Sequence, residues 1–372
     1  MLASAARAAP GPEAATRVRR ERLACFIRER EPSLFGEGRG RDEIRRALGW
    51  DDQSLASFVD ADLVVHSSPH VSMNAFAPMF AYPWACRTIG TAAGAPAVHL
   101  RTQLTHNNVS DARWRPYAWW HRGRAGEIRR TALFSRHSHK RRVLLSEPVP
   151  AIEPDECDAA DAAMVSLAAQ ARSYAYFCLV YRSLVERRAG LDWPGRIVEV
   201  PSDLLSAFVL HEEPEATFEL CKRLGLPLRA VGADGELHEV GAEAEAQCPI
   251  PVLMAEVYRL GAGVVVGAEK MADYLPTMNR TVGRVFELRE ERPSFPPLVS
   301  LVRVPADEVM PLDPASAERL AASGGAPSLP IGAADHGPEV SRRLDALLHR
   351  PWREFSNQEP ELEEEVVHAG VV

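Results

Sequence analysis

The 372-residue chain has almost no lysine: of its 43 basic side chains only Lys140, Lys222 and Lys270 are not arginine. Together with heavy alanine use, this reads as the codon bias of a GC-rich bacterial genome, and it makes each lysine a residue kept against drift. Cysteine is sparse as well. Cys25, Cys86, Cys157, Cys178, Cys221 and Cys248 are scattered without a C-x-x-C pair, which excludes a disulfide framework or cysteine-rich zinc site and fits reduced thiols. No run approaches the ~18 consecutive apolar residues of a membrane span, and mean hydropathy is −0.18. The first segment, MLASAARAAPGPEAATRVRR, lacks the ~7–15-residue apolar core of a secretory signal. A bacterial cytoplasm, with no membrane partner, is the expectation.

What is present is ordinary for a globular protein: 46% hydrophobic and 25% charged residues, which excludes a disordered or collagen-like chain. A net charge of −8 argues against wrapping nucleic acid with the whole surface. It hides one basic stretch. From Arg101 to Arg142 eleven Lys or Arg residues face only Asp111 and Glu127, with Trp114, Tyr117, Trp119 and Trp120 interleaved. Such a patch can grip phosphates or stack on bases; recognition of an acidic or phosphorylated small substrate is the preferred reading over nucleic acid.

The order of elements predicts an α/β fold. Leu63-Val64-Val65 reads as a buried strand, Asn74 to Ile89 as an interrupted helix and Ala97-Val98-His99-Leu100 as a second strand. Strand, helix and strand in that order form a βαβ unit, hence a parallel sheet with ligands at the carboxyl ends of its strands. The alternation continues through Ile197–Val200, helices from Ser202 and Pro214, the strand Val264–Val266, a helix through Asn279 and a strand at Leu298–Val302. The expectation is a Rossmann-like parallel sheet with helices on both faces, plus a helical and loop-rich C-terminal appendage. Residues 1–49 are expected as a disordered N-terminus and short helices, 50–310 as the catalytic domain with a helical insertion at 158–190, and 311–372 as linker, short helix and acidic tail.

Three segments carry chemically capable residues at strand ends. His66-Ser67-Ser68-Pro69-His70, with Ser72 and Asn74, gathers imidazoles, hydroxyls and an amide that can hold phosphate oxygens at a helix N-terminus; a polar helix-capping turn is the plain alternative. A metal held by His66 and His70 is less favoured, since the loop contains no carboxylate. After the second strand come Gln103, His106, Asn107, Asn108 and Asp111. His106 is the candidate general base or acid because imidazole titrates near neutral pH, although the same residues suit an ordinary loop. Third, Gly267-Ala268-Glu269-Lys270-Met271-Ala272-Asp273 sets a cation and a carboxylate at a helix start, where Lys270 could balance transition-state charge or simply flank a turn.

Pro69-His70-Val71-Ser72-Met73 resembles a degenerate H-I-G-H signature of class I aminoacyl-tRNA synthetases and related nucleotidyl transferases, and Lys270-Met271-Ala272-Asp273 resembles the opening of their K-M-S-K-S loop. Ser72 and Met73 stand where that family has Gly and its second His, and Ala272 and Asp273 where it has Ser and Lys. The runs Val64 to Asp111 and Val264 to Pro276 are similar to the cysteine-adding enzyme of bacillithiol synthesis, of the same broad superfamily. The resemblance implies a Rossmann-like fold, ATP as the candidate cofactor, and nucleotide contact by His70 and Lys270. It also implies a synthetase- or ligase-like reaction joining an amino acid or thiol to a small acceptor. Combined with the residues themselves, it makes His106, Asp111 and Lys270 the candidate catalytic groups. His66, Ser68, His70, Ser72, Asn74, Gln103, Asn107 and Asp273 are the candidate substrate or nucleotide contacts. A non-catalytic nucleotide- or small-molecule-binding relative and an arginine-patch nucleic-acid binder remain the alternatives.

Overall fold

Short runs of β-branched residues are apolar on both faces when they lie inside a parallel sheet, and that is what Leu63–Ser67, Ala97–Arg101 and Ala262–Ala268 become. The computed structural model describes residues 12–38, 40–71, 77–105, 118–125, 128–133, 143–153, 157–188, 193–241, 246–292, 295–296, 298–301 and 366–368. In chain order these form α1 (Pro12–Leu34), α2 (Arg41–Leu48), α3 (Asp52–Val59), β1 (Leu63–Ser67), α4 (Ala77–Ala93) and β2 (Ala97–Arg101). A hairpin follows, β3 (Ala118–Arg122) and β4 (Ile128–Ala132), then α5 (Ala159–Ala168), α6 (Tyr174–Arg188), β5 (Ile197–Glu199), α7 (Ser202–Glu212) and α8 (Pro214–Leu224). The remainder is β6 (Leu228–Val231), β7 (Leu237–Val240), α9 (Ile250–Arg259), β8 (Ala262–Ala268), α10 (Glu269–Leu288), β9 (Leu298–Leu301) and β10 (Val366–His368).

The main sheet has five strands in the order β5-β2-β1-β8-β9, and every neighbouring pair is parallel. Side chains alternate across a strand, so the faces separate cleanly. Val65, Val264 and Val266 pack with Ala85, Cys86 and Ile89 of α4 on one side. Val64, Val98, Leu100, Val198 and Val265 join the larger core with α7 and α9 on the other. Helices therefore cover both faces, as the alternation predicts. Two small antiparallel ribbons, β3 with β4 and β6 with β7, lie outside this sheet, and β10 pairs with β4.

Two expectations change. The N-terminal segment holds the expected short helix α2, of eight residues, but α1 runs 23 residues and buries Leu23, Phe26 and Ile27 in the main core. Arg20 Nη1 donates to the Ala61 carbonyl at 2.6 Å and Nε to Leu260 at 2.8 Å, tying α1 to the strands' approach segments. The uninterrupted helical pattern from Asp158 to Arg188 is also two helices. Gln170 accepts from Gly36 N at 2.7 Å and Arg172 N donates to Leu34 at 3.0 Å, so the end of α1 captures the backbone that would have continued α5. Such capture has no signature in helix propensity, which tertiary contacts override. Residues 311–372, expected as linker, helix and acidic tail, lie outside the described residues apart from β10.

Gly49 ends α2 with φ +68°, and a Cβ there would run into the Ile197 carbonyl oxygen at the start of β5. Both the left-handed backbone and the close approach demand glycine. Gly49→Ala is expected to cost about 2–3 kcal/mol, read as a lower urea midpoint with an unchanged m-value.

Candidate functional site at the carboxyl edge of the sheet

The chain leaves β1 through α4 toward β2 and leaves β8 through α10 toward β9, so the strand order reverses between β1 and β8. In open parallel sheets that reversal opens a crevice beyond the carboxyl ends. His66 and Ser67 of β1 pair with Val265 and Val266 of β8. Two of the three segments singled out in the sequence, His66 to His70 and Gly267 to Asp273, therefore arrive at one place. Lys270 is the second residue of α10 and Asp273 the fifth. Gly267 permits this: a Cβ on it would collide with the side chain of Met271, so its absence lets the first turn of α10 close onto the strand end.

The third segment runs alongside. Beyond the strands, Thr102 N donates to Ser67 O at 2.9 Å and Leu104 N to Pro69 O at 3.3 Å, and His70 bridges Leu104 in parallel register. The loops after β1 and β2 thus leave the sheet as a pair. Ser68 Oγ donates to the Thr102 carbonyl at 2.8 Å, which fixes that pairing. Ser72, Asn74, His106, Asn107, Asn108 and Asp111 lie outside the described residues, as does most of the arginine and aromatic stretch.

His66, read from sequence as the first residue of the loop, is a strand residue and fully buried. Among the described residues neither ring nitrogen has a hydrogen-bond partner, and burial pushes its pKa down to about 3. It is a neutral imidazole in the core. His99 of β2 is similarly buried; its Nε2 lies 2.7 Å from Ser67 Oγ while Nδ1 has no partner among the described residues. Burial, with the nearby Arg101 charge, holds its pKa well below the usual range. Cys86 of α4 completes this cluster through Ser67, and burial raises its pKa, leaving it a thiol and no nucleophile.

Gln103 is also enclosed, and its amide is already taken: Nε2 donates to Glu199 Oε2 at 3.0 Å and Oε1 accepts from Arg182 at 3.1 Å. It is hydrogen-bonded to two members of a buried ionic quartet. Arg101 pairs with Glu199 and Glu186, and Arg182 Nε donates to Glu186 Oε1 at 2.9 Å. All four are nearly inaccessible. Burial alone would lower the Arg101 pKa, but the two carboxylates outweigh it and raise it. For Arg182 burial wins: Glu186 offsets part of it and Arg101 repels, leaving the pKa lowered. Next to the quartet, Thr105 Oγ1 donates to Asp203 Oδ1 at 2.7 Å and Tyr176 Oη to Oδ2 at 2.8 Å. Burial raises the Asp203 pKa against those hydrogen bonds.

No protein-family model matches the chain, and no curated protein matches it in sequence. What the site can do rests on its own geometry. Among the described residues no three His, Cys, Asp or Glu side chains gather as a metal-binding group, and no helix is long and apolar enough to cross a membrane. A cleft of about 480 Å³ opens elsewhere, between α1, α2 and α3. Its charges serve one another: Glu31 takes Arg41 and Arg45, and Arg28 takes Asp52.

The quartet was missed in the sequence, although a signal existed. Arg101 ends an otherwise apolar strand, Glu199 interrupts Ile197-Val198-Val200, and Arg182 and Glu186 stand four apart in a helix whose neighbours are apolar. Charges inside apolar elements imply partners, because an unpaired buried charge is too costly to keep.

Proposed function

We propose that the chain is a synthetase- or ligase-like biosynthetic enzyme that uses a nucleotide, with ATP as the candidate, to join an amino acid or thiol to a small acceptor. The observation that supports this reading is the strand reversal between β1 and β8, from whose neighbouring carboxyl ends the segments bearing His70 and Lys270 depart. Nucleotides bind at such reversals because helix N-termini and loop amides converge there on phosphate charge. In this reading Lys270 and His70 hold phosphate or carboxylate oxygens, Asp273 and Ser68 line the same edge, and His106 or Asp111 moves the proton. The buried quartet holds the β1 and β2 loops in register beneath the reacting groups. His66 and Gln103 act as its frame, since both are enclosed by protein.

Calorimetric titration with ATP is the test. Binding in the micromolar to millimolar range is expected, and Lys270→Ala should weaken it about tenfold, a loss of about 1.4 kcal/mol. No binding of ATP, GTP or NAD at millimolar concentration would remove the nucleotide-dependent reading. Binding without turnover of any amino acid and acceptor pair would favour a non-catalytic relative.

A further inference from the structure

Arg182 projects from the buried face of α6 into the carboxyl edge of the sheet, and the loops after β1 and β2 both close on it. Its Nη1 donates to the His70 carbonyl at 3.2 Å and to Gln103 Oε1 at 3.1 Å, while Nε takes Glu186. Nη2 is buried and, among the described residues, has no acceptor. A charged nitrogen left this way costs several kcal/mol unless something else supplies the acceptor. The rest of the quartet cannot supply it. Arg101 contacts both Glu186 and Glu199, so of the two guanidiniums it takes the larger share of the negative charge. Arg182 shares one carboxylate and faces a like charge. The arrangement lacks one anionic oxygen acceptor, and the unmatched nitrogen belongs to the guanidinium that holds the His70 carbonyl, on the loop leaving the carboxyl end of β1, the edge at which parallel sheets bind ligands.

Charge counting sets the ligand class. Two guanidiniums and two carboxylates make the quartet neutral, so a single negative charge leaves a modest imbalance, whereas a phosphate dianion would bring two charges against one free nitrogen. Guanidinium N–H groups match a carboxylate in geometry, and the charge-assisted hydrogen bond is strongest where water is excluded. We propose that Arg182 Nη2 anchors the single carboxylate of a small substrate at this edge. The proposal rests on the reading of the edge as the substrate site, and it adds a residue and a ligand class to it.

The test uses the full chain. Glycine and the other common amino acids, acetate, propionate and lactate are each compared with their primary amides by thermal shift and calorimetry, with inorganic phosphate alongside. At least one acid is expected to raise the melting temperature and to bind at least tenfold tighter than its amide. Arg182→Lys, which keeps the charge and the pair with Glu186 but has no second nitrogen, should lose that preference. Arg182→Gln, which keeps a donor for the His70 carbonyl, should lose it as well. The acid-against-amide comparison is made on unmodified protein and stays decisive if either variant fails to fold. Equal response to acids and amides, no response to any acid, a response to phosphate only, or full acid preference in folded Arg182→Lys would each overturn the proposal. ATP binding without acid recognition would sink this inference and leave the nucleotide reading standing; acid recognition without ATP binding would do the reverse.

Discussion

Arg101→Leu is expected to destabilise the protein by about 3–5 kcal/mol, the range found when one partner of a buried ion pair is removed. The substitution leaves Glu186 and Glu199 with one guanidinium between them inside the sheet edge, and Arg182 touches only the first directly. The cost is that of an uncompensated buried carboxylate and exceeds the worth of any single hydrogen bond. The double variant Arg101→Leu/Glu199→Leu should recover much of the loss, because Arg182 and Glu186 remain as a neutral pair. Urea denaturation followed by circular dichroism, run as a double-mutant cycle, reads both quantities. A single variant within 1 kcal/mol of the unmodified protein, on the order of an exposed pair's worth, would contradict the buried ionic arrangement.

Acid is expected to be the second strong destabiliser, through His66 and His99. Both have folded pKa values below the unfolded value near 6.5: His66 at about 3, and His99 lowered in the same direction. The folded state keeps these imidazoles neutral while the unfolded chain binds their protons. Their contribution is therefore fully present above about pH 6.5 and is lost as the pH falls toward the folded values. The slope is about 1.4 kcal/mol per pH unit for each histidine, so His66 alone removes about 2–3 kcal/mol between pH 7 and 4.5. His66→Leu should flatten that limb of the stability curve. At pH 7 it should gain about 1 kcal/mol, because it removes a buried group with no hydrogen-bond partner. Carboxylates titrating in the same window are common to both proteins and cancel in the difference. An unchanged limb in denaturation midpoints at pH 7, 6 and 5 would mean that His66 reaches water.

His66, Gln103, Arg101 and Glu199 are legible in the sequence to different degrees. His66 stood out as a chemically capable residue at a strand end, but whether a strand stops before or after one histidine depends on its neighbours. Pairing with Leu100 and Val265 on both sides extends β1 past the point where the apolar run ends. Gln103 was likewise read as a ligand contact from its position after β2, and its amide was claimed by Glu199 and Arg182, residues about 80 to 100 positions away. In the sequence Arg101 opens the basic stretch and Glu199 stands inside the strand Ile197–Val200. Their partnership required β2 and β5 to be neighbours, with Arg101 opposite Glu199 in register.

By itself the sequence determined the class of fold. Apolar runs of four or five residues separated by helical segments suffice to specify a parallel sheet covered on both faces, because burial on both sides is what those runs need. It also determined which loops carry the capable side chains, since they follow directly from the strand ends. Tertiary structure alone decided the strand order, and with it the pairing of β1 with β8 that brings the His70 and Lys270 segments to neighbouring strand ends. It alone decided the break between α5 and α6 and the incorporation of α1 into the core. The neutral state of His66 and the four-residue ionic network beneath the loops were decided there too. These properties arise from contacts between residues far apart in the chain, whose energies depend on burial and on the partner supplied, and neither is written in local composition.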